Sequence, residues 1–217
     1  GLAELMLDVE ASSEQGDDPA APGVHRRLPT DNHRPNKGAP VSGSWENGML
    51  ELSRGAALVA ATIAMGLFAG LFYTFACAVM PGLHRMDDHT FVSGMQQINV
   101  AILNGWFFAT FLGAPLVTAL AGLLQLGGGS RRVLLWIVAA FILCVVAFVI
   151  TVVVNVPLND ALAAAGDPAQ TADLAAVRAQ FEASWVRWNL ARAVASTAAF
   201  GCLTWALVLY GRATATT

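Results

Sequence analysis

The chain has 217 residues, of which 56% are hydrophobic and 12% are charged, and its formal net charge is −3. The charged share is about half of the roughly 25% that is usual in soluble domains. A basic excess is absent, which argues against a nucleic-acid-binding protein. Four stretches contain no Lys, Arg, Asp, Glu or His: residues 55–83, 90–130, 133–159 and 193–211. Because about 20 apolar residues in a helix cross a bilayer, they predict an all-α, four-helix transmembrane bundle.

Residues 1–54 differ from the rest of the chain. They are rich in Pro, Gly, Ser, Asp and Asn, and they carry nine acidic and five basic side chains. A segment with so little apolar surface to bury is predicted to be a disordered tail, and it lacks the pattern of a signal peptide. Met49, just before the first apolar run, is an alternative start of the functional protein. The membrane domain is predicted to cover residues 55–212.

The first span is predicted at about residues 55–81, ending at Pro81. It contains Gly66 and Gly70, a G-x-x-x-G pair that lets two helix backbones approach closely. Tyr73 continues the same helix face. The following loop, residues 83–90, contains four potential metal ligands: His84, Asp87, Asp88 and His89. The H-x4-H spacing is not a compact ligand pattern, and we predict no metal site there.

An amphipathic stretch then leads into the second span, predicted at about residues 100–126. Three glycines break the chain before the third span, predicted at about residues 133–155. The longest connection follows, and its second half has apolar and aromatic residues at helical spacings of three and four. Residues 173–192 are therefore predicted to enter the fourth span, about 189–210, as one continuous helix.

Polar residues at membrane depth are candidates for function, because each costs free energy unless it has a partner. In an up-down bundle the end of span one, the start of span two, the end of span three and the start of span four meet at one membrane surface. The polar residues of these segments should therefore converge on one pocket, roofed by residues 160–192. The candidate catalytic residues are Arg192, Asn189, Asn155, Asn159 and Asp160. The candidate substrate-binding residues are Tyr73, Gln96, Asn99, Asn104, Trp185 and Trp188.

Two interpretations are open for Arg192 and Asp160. The guanidinium of Arg192 could stabilise an anion such as an enolate or phenolate oxygen, or it could snorkel to the interface or pair with Asp160 or Glu182. Asp160 could accept a proton, or it could cap the helix that follows.

The other candidates are also open to two interpretations. The asparagines could orient a polar aromatic ligand, or they could form hydrogen bonds between helices. The two tryptophans, Trp185 and Trp188, could stack on a flat substrate, or they could belong to the aromatic belt at the membrane interface.

Four motifs carry a family resemblance: GLFAGLFYTFACAVMPGL, MQQINVAILN, NVPLND, and W-x-x-W-N-x-x-R at residues 185–192. In combination they resemble the DUF1772, or anthrone oxygenase-like, family of small integral membrane proteins over residues 56–209. The resemblance implies a four-helix membrane fold and, for some members, oxidation of polyketide anthrones to anthraquinones by molecular oxygen without an evident cofactor. The motif positions of the family fall on Asn155, Asn159, Asn189 and Arg192.

The resemblance and the residues together give two hypotheses. The first is a cofactor-independent oxygenase whose partners are membrane lipid, a hydrophobic aromatic small molecule and molecular oxygen. The alternative is a non-enzymatic membrane protein that binds a lipid or quinone-like ligand or supports a partner complex; a homo-oligomer is left open. Arg131 and Arg132, in the short loop between spans two and three, favour cytoplasmic termini, and the membrane is expected to be a bacterial plasma membrane.

Overall fold

The computed structural model describes residues 42–127 and 130–215, and all regular structure in these ranges is helical. The helices are α1 (Ser42–Thr74), α2 (Met80–His84), α3 (Asp88–Ala101), α4 (Gly105–Leu126), α5 (Arg131–Ile150), α6 (Val156–Ala164) and α7 (Leu174–Thr214). Two π-helical segments, Phe75–Val79 and Thr151–Asn155, join α1 to α2 and α5 to α6 without a break. The predicted tail lies outside the described residues as far as residue 41.

Four stretches of the described chain are long and apolar enough to cross a membrane: Trp45–His84, Gly105–Leu126, Arg131–Ala164 and Leu174–Thr214. The all-α bundle with four spans is therefore confirmed, and the protein is an integral membrane protein. The fourth span is one continuous helix from the connection to its end, as the periodicity of residues 173–192 predicted.

Exposed aromatic side chains mark two levels of the bundle. Toward the end of the bundle where α7 ends, exposed tryptophans of spans three and four are Trp136 and Trp205. At the opposite end, the exposed aromatic residues of three spans include Tyr73, Trp106 and Trp188. Trp188 and Trp205 are 17 residues apart on α7, which corresponds to about 26 Å along the helix axis. This separation fits the two aromatic belts that flank the hydrocarbon core of a bilayer.

Residues 42–54 belong to α1, although the sequence placed them in the disordered tail. Their helix is held against the ends of two other spans. The Nε of Arg54 donates to the Leu124 carbonyl over 2.9 Å, and the Tyr210 hydroxyl donates to the Glu51 carbonyl. These long-range contacts hold residues 51–54 in place, which the local composition does not predict, whereas the side chains of residues 45–50 are exposed.

Each π segment lies just before a proline. Phe75–Val79 precedes Pro81, and Thr151–Asn155 precedes Pro157. Proline has no N–H group and its ring collides with the carbonyl four residues earlier, so a wider turn allows the helix to continue. The first span therefore passes Pro81 and ends at His84, where the sequence had predicted a stop at the proline.

The two glycines of span one have different surroundings. A Cβ atom on Gly66 would lie 3.1 Å from Cε2 of Phe200, whereas a Cβ on Gly70 would have no neighbour within 4 Å. The pair therefore does not form a close approach of two backbones within the described chain. Gly66 instead makes room for the Phe200 ring of span four.

A second hydrophobic cluster lies beyond the bundle core, at the end opposite the termini. It joins α2, α3, α6 and the first half of α7 through Met80, Phe91, Val92, Met95, Leu162, Phe181 and Trp185.

Arg178 fixes the loop beside this second cluster. Its guanidinium forms ion pairs with Glu182 over 2.7 Å and Asp88 over 3.0 Å, and it donates to the carbonyls of His84 and Met86. Glu182 also contacts Nδ1 of His84 over 2.6 Å. These contacts hold α3 against α7, and α3 carries part of the site described next.

Candidate functional site

A cavity of about 690 Å³ opens at the end of the bundle opposite the termini. It is lined by the ends of all four spans together with α3, α6 and residues 166–168. Its volume lies within the range of about 300–1,000 Å³ that is typical of small-molecule sites. Much of its wall is aromatic: Phe72, Phe75, Phe107, Phe108, Phe111 and Trp185.

Arg192 lies on the inner wall of this cavity and is only 4% exposed. Its Nη1 donates to Oγ1 of Thr151 over 3.2 Å, and its Nη2 donates to Oδ1 of Asn189 over 3.0 Å. Its Cζ lies 4.4 Å from the centre of the Phe72 ring and 5.4 Å from that of Trp185. The guanidinium is thus oriented by neutral hydrogen-bond acceptors and by the negative faces of two rings.

Within the described part of the chain, no carboxylate forms an ion pair with Arg192. The alternative interpretations of Arg192, as a side chain that snorkels to the interface or pairs with Asp160 or Glu182, are therefore wrong. Its side chain does not reach out to the interface, because it is buried, and Glu182 pairs with Arg178 and His84 instead. A buried cation without a counter-ion costs free energy, which favours a site for an anionic group of a ligand.

The asparagines hold the site together as well as lining it. The Nδ2 of Asn189 donates to the Phe72 carbonyl over 3.1 Å, which links span four to span one. The Oδ1 of Asn159 accepts from Nε1 of Trp185 over 2.8 Å, and Nδ2 of Asn155 approaches the Trp185 carbonyl at 3.5 Å. The Asn159 bond fixes the indole ring, and the Asn155 contact joins the backbone of span four to the end of span three. The asparagines therefore do form hydrogen bonds between helices.

Several polar atoms of the cavity have no partner. In the described residues, four buried side-chain nitrogen or oxygen atoms lack a hydrogen bond: Nδ2 of Asn99, Oδ1 of Asn155, Nε of Arg192 and Nε2 of Gln125. The first three belong to residues that line the cavity. Since buried polar groups in native proteins are nearly always satisfied, these three atoms indicate where a ligand would supply hydrogen bonds.

The rim of the cavity is formed by polar residues of α3 and of the connection between spans three and four. Nε2 of Gln96 donates to the carbonyls of Leu162 and Gly166 over 2.9 and 3.0 Å. Asp160 is exposed at this rim and lies inside α6. It therefore does not cap the following helix. That role belongs to Asp173, whose side chain accepts from the backbone N–H of Ala176.

Three of the predicted substrate-binding residues do not line the cavity. Tyr73 is 60% exposed and Trp188 is 36% exposed, and both face outward in the aromatic belt. Asn104 caps α4, where its Oδ1 accepts from the backbone N–H groups of Trp106 and Phe107. The other candidates, Gln96, Asn99 and Trp185, do line it, as do Arg192, Asn189, Asn155, Asn159 and Asp160.

Sequence reasoning missed two kinds of residue in this site. Thr151 holds Arg192, and its spacing of four from Asn155 could have placed it on the same helix face. The phenylalanines of the wall gave no signal, because phenylalanine is common in any membrane helix.

Comparison with known proteins matches part of the chain to a family model. The model described as anthrone oxygenase matches residues 105–202, which run from the start of span two into span four. No curated protein and no solved structure matches the chain. The matched segment contains Thr151, Asn155, Asn159, Asn189 and Arg192. The match confirms that the chain resembles the anthrone oxygenase family over residues 105–202.

Proposed function

We propose that this protein is a cofactor-independent oxygenase that acts on an anthrone-like or other aromatic polyketide substrate. The observation that carries the proposal is Arg192, a buried guanidinium with no carboxylate partner in the described chain and with an unpartnered Nε, in a cavity walled by aromatic rings. Such a site favours a flat, apolar molecule that carries or develops a negatively charged oxygen.

The reaction requires little more than stabilisation of an anion. An anthrone has an acidic C–H group opposite its carbonyl, and loss of that proton gives an enolate whose charge lies largely on oxygen. The carbanion form transfers an electron to molecular oxygen, and combination of the two radicals followed by protonation gives a hydroperoxide. Loss of the second C–H proton breaks the O–O bond and releases water, so that one anthrone and one O₂ give one anthraquinone and one H₂O.

Each residue of the site has a role in this scheme. Arg192 binds the enolate oxygen, while Thr151 and Asn189 hold the guanidinium in place. The aromatic walls position the fused rings and exclude water, which strengthens the electrostatic interaction. Asn99 and Asn155 provide a donor and an acceptor for further oxygen substituents of the substrate.

Asp160 is proposed as the proton acceptor at the rim, acting through water. It lies nine residues after Thr151 on the same span, a distance of about 14 Å along the helix axis. A carboxylate so far from the Arg192 partner could not touch the reacting carbon of a substrate whose oxygen binds Arg192. Water in the mouth of the cavity would therefore carry the proton to it.

The test uses the purified protein in detergent, a model anthrone and an oxygen electrode, with the rate without protein subtracted. Removal of a preorganised oxyanion donor lowers kcat by about 10²–10³, and we expect that loss for Arg192→Ala. The matched control is Arg187→Ala on the same helix, where the side chain is exposed, and it should keep the parent rate. If folded Arg192→Ala consumes oxygen as fast as the parent protein, the proposal is wrong.

The second candidate function is a non-enzymatic binding protein for a lipid or quinone-like molecule. It is favoured by the unpartnered atoms of Asn99 and Asn155, which would form hydrogen bonds with a bound ligand whether or not that ligand reacts. Mass spectrometry of the purified protein separates the two candidates. A stoichiometric co-purified ligand, with no oxygen uptake on any anthrone, would support binding alone.

A further inference from the structure

One wall of the cavity is also part of the outer surface of the bundle, between spans two and three. Val100, Leu103 and Phe108 lie on one side of this wall, and Val152 and Val156 lie on the other. All five line the cavity, and their side chains are between 42% and 71% exposed. The cavity therefore has an apolar opening at the side, here called the lateral opening, which is formed by these five residues.

The position of the lateral opening places it against lipid. Leu103 and Phe108 flank Trp106, the 87% exposed tryptophan of the aromatic belt. Val152 and Val156 lie within the third charge-free run, residues 133–159. The edge that faces water is different in character, because its exposed lining residues include Gln97, Asp160 and Asp167. One cavity thus has an apolar side opening and a polar mouth.

We propose that the aromatic substrate enters the cavity from the bilayer through the lateral opening, while the polar mouth serves protons and water. The proposal rests on the proposed function for the identity of the substrate. A fused-ring molecule with little polar surface partitions into lipid, because apolar surface is expelled from water at about 25 cal/mol per Å². Entry through a valine- and leucine-lined opening avoids a passage of that surface through water and past the carboxylates of the rim.

The test measures binding rather than turnover, with anthraquinone as a probe that has the fused-ring shape and cannot be oxidised by this route. The protein is reconstituted in vesicles and mixed rapidly with vesicles that contain anthraquinone. Entry is followed by quenching of Trp185 fluorescence, defined as the part of the signal that Trp185→Phe removes. Trp185 is suitable because it is buried and lines the cavity.

Two double variants form a matched pair on the same span. Val152→Phe with Val156→Phe narrows the lateral opening, and Val149→Phe with Val153→Phe adds the same bulk to exposed positions that do not line the cavity. We expect the first pair to slow entry about tenfold and the second pair to leave it unchanged.

The proposal is overturned if both pairs enter at the parent rate. It is also overturned if Gln97→Phe at the polar mouth slows entry while the Val152 and Val156 pair does not. If the Val152 and Val156 pair alone slows the quenching of Trp185 and the parent protein shows no oxygen uptake, the oxygenase is refuted and the lateral opening stands.

Discussion

Thr151 offers a sharp test of how Arg192 is held. Its hydroxyl donates to the Ala147 carbonyl over 2.9 Å and accepts from Nη1 of Arg192 over 3.2 Å. Thr151→Val keeps the shape of the side chain and removes both bonds. The Ala147 carbonyl keeps the backbone N–H of Thr151 as a partner, so the main loss is the acceptor for the guanidinium.

The magnitude follows from the geometry of that bond. A hydrogen bond to a charged group contributes about 1.5–3 kcal/mol in water-soluble proteins, and bonds between membrane helices average about 0.6 with a maximum near 1.7 kcal/mol. A distance of 3.2 Å lies at the long end of the normal range. We therefore expect Thr151→Val to lower the free energy of unfolding by about 1 kcal/mol.

Thr118 provides the matched control. It is fully buried in α4, and its hydroxyl donates to the carbonyl four residues earlier over 2.7 Å. The Thr151 hydroxyl makes the same kind of bond within its own helix. It has no contact with Arg192 among the bonds that the structure describes. Thr118→Val should therefore cost less than Thr151→Val, and it should leave oxygen uptake unchanged.

The assay is denaturant unfolding in detergent micelles, followed by oxygen uptake on the same samples. Thr151→Val should also lower the rate of oxygen uptake, because Arg192 loses one of the two acceptors that fix its orientation. Equal destabilisation by the two valine variants, within about 0.5 kcal/mol, together with equal rates, would refute the role assigned to Thr151.

The remaining predictions concern the fold. Gly70→Ala should raise the thermal unfolding midpoint, since alanine favours helix over glycine by about 1 kcal/mol and the new Cβ would have no neighbour within 4 Å. Gly66→Ala should raise the midpoint less, because the new Cβ would press on the Phe200 ring. An equal rise for the two variants would contradict that packing. Hydrogen bonds from the backbone and hydroxyl of Thr90 lower the pKa of Asp87. The ionised Asp87 carboxylate therefore stabilises the folded protein above about pH 4, and this stabilisation is lost as the pH falls through the lowered pKa. Asp87→Asn should flatten this acid limb in unfolding curves between pH 6 and 2.5, and an unaltered limb would count against the cap.

The spans could be predicted from the sequence because a water-soluble domain rarely has even one apolar run of about 20 residues without a charge. The continuous helix of span four was also predictable, since its spacing of apolar residues is regular from residue 173 onward. The helical state of residues 42–54 was not, because the only long-range contacts described for this segment are those of Arg54 and Glu51, with residues far along the chain. Local composition contains no information about such contacts.

The sequence was sufficient to predict which segments meet at the site. It was less able to predict which individual side chains line the site. Topology alone brought Asn155, Asn159, Asn189 and Arg192 to one end of the bundle. It could not tell that Asn104 would serve its own helix as a cap, nor that Tyr73 would face outward. These outcomes depend on the angular position of each side chain, which a distorted helix alters.

The π segment before Pro157 has a consequence for that angular position. In an uninterrupted α-helix, two residues eight apart point about 80° away from each other. A π segment holds one extra residue, which rotates the residues after it back by about 100°. The angle between two side chains eight residues apart then falls to about 20°. Thr151, beside Arg192, and Asn159, beside Trp185, are eight residues apart across this segment. The π segment that accommodates Pro157 therefore brings the side chains of Thr151 and Asn159 onto a single edge of the third span.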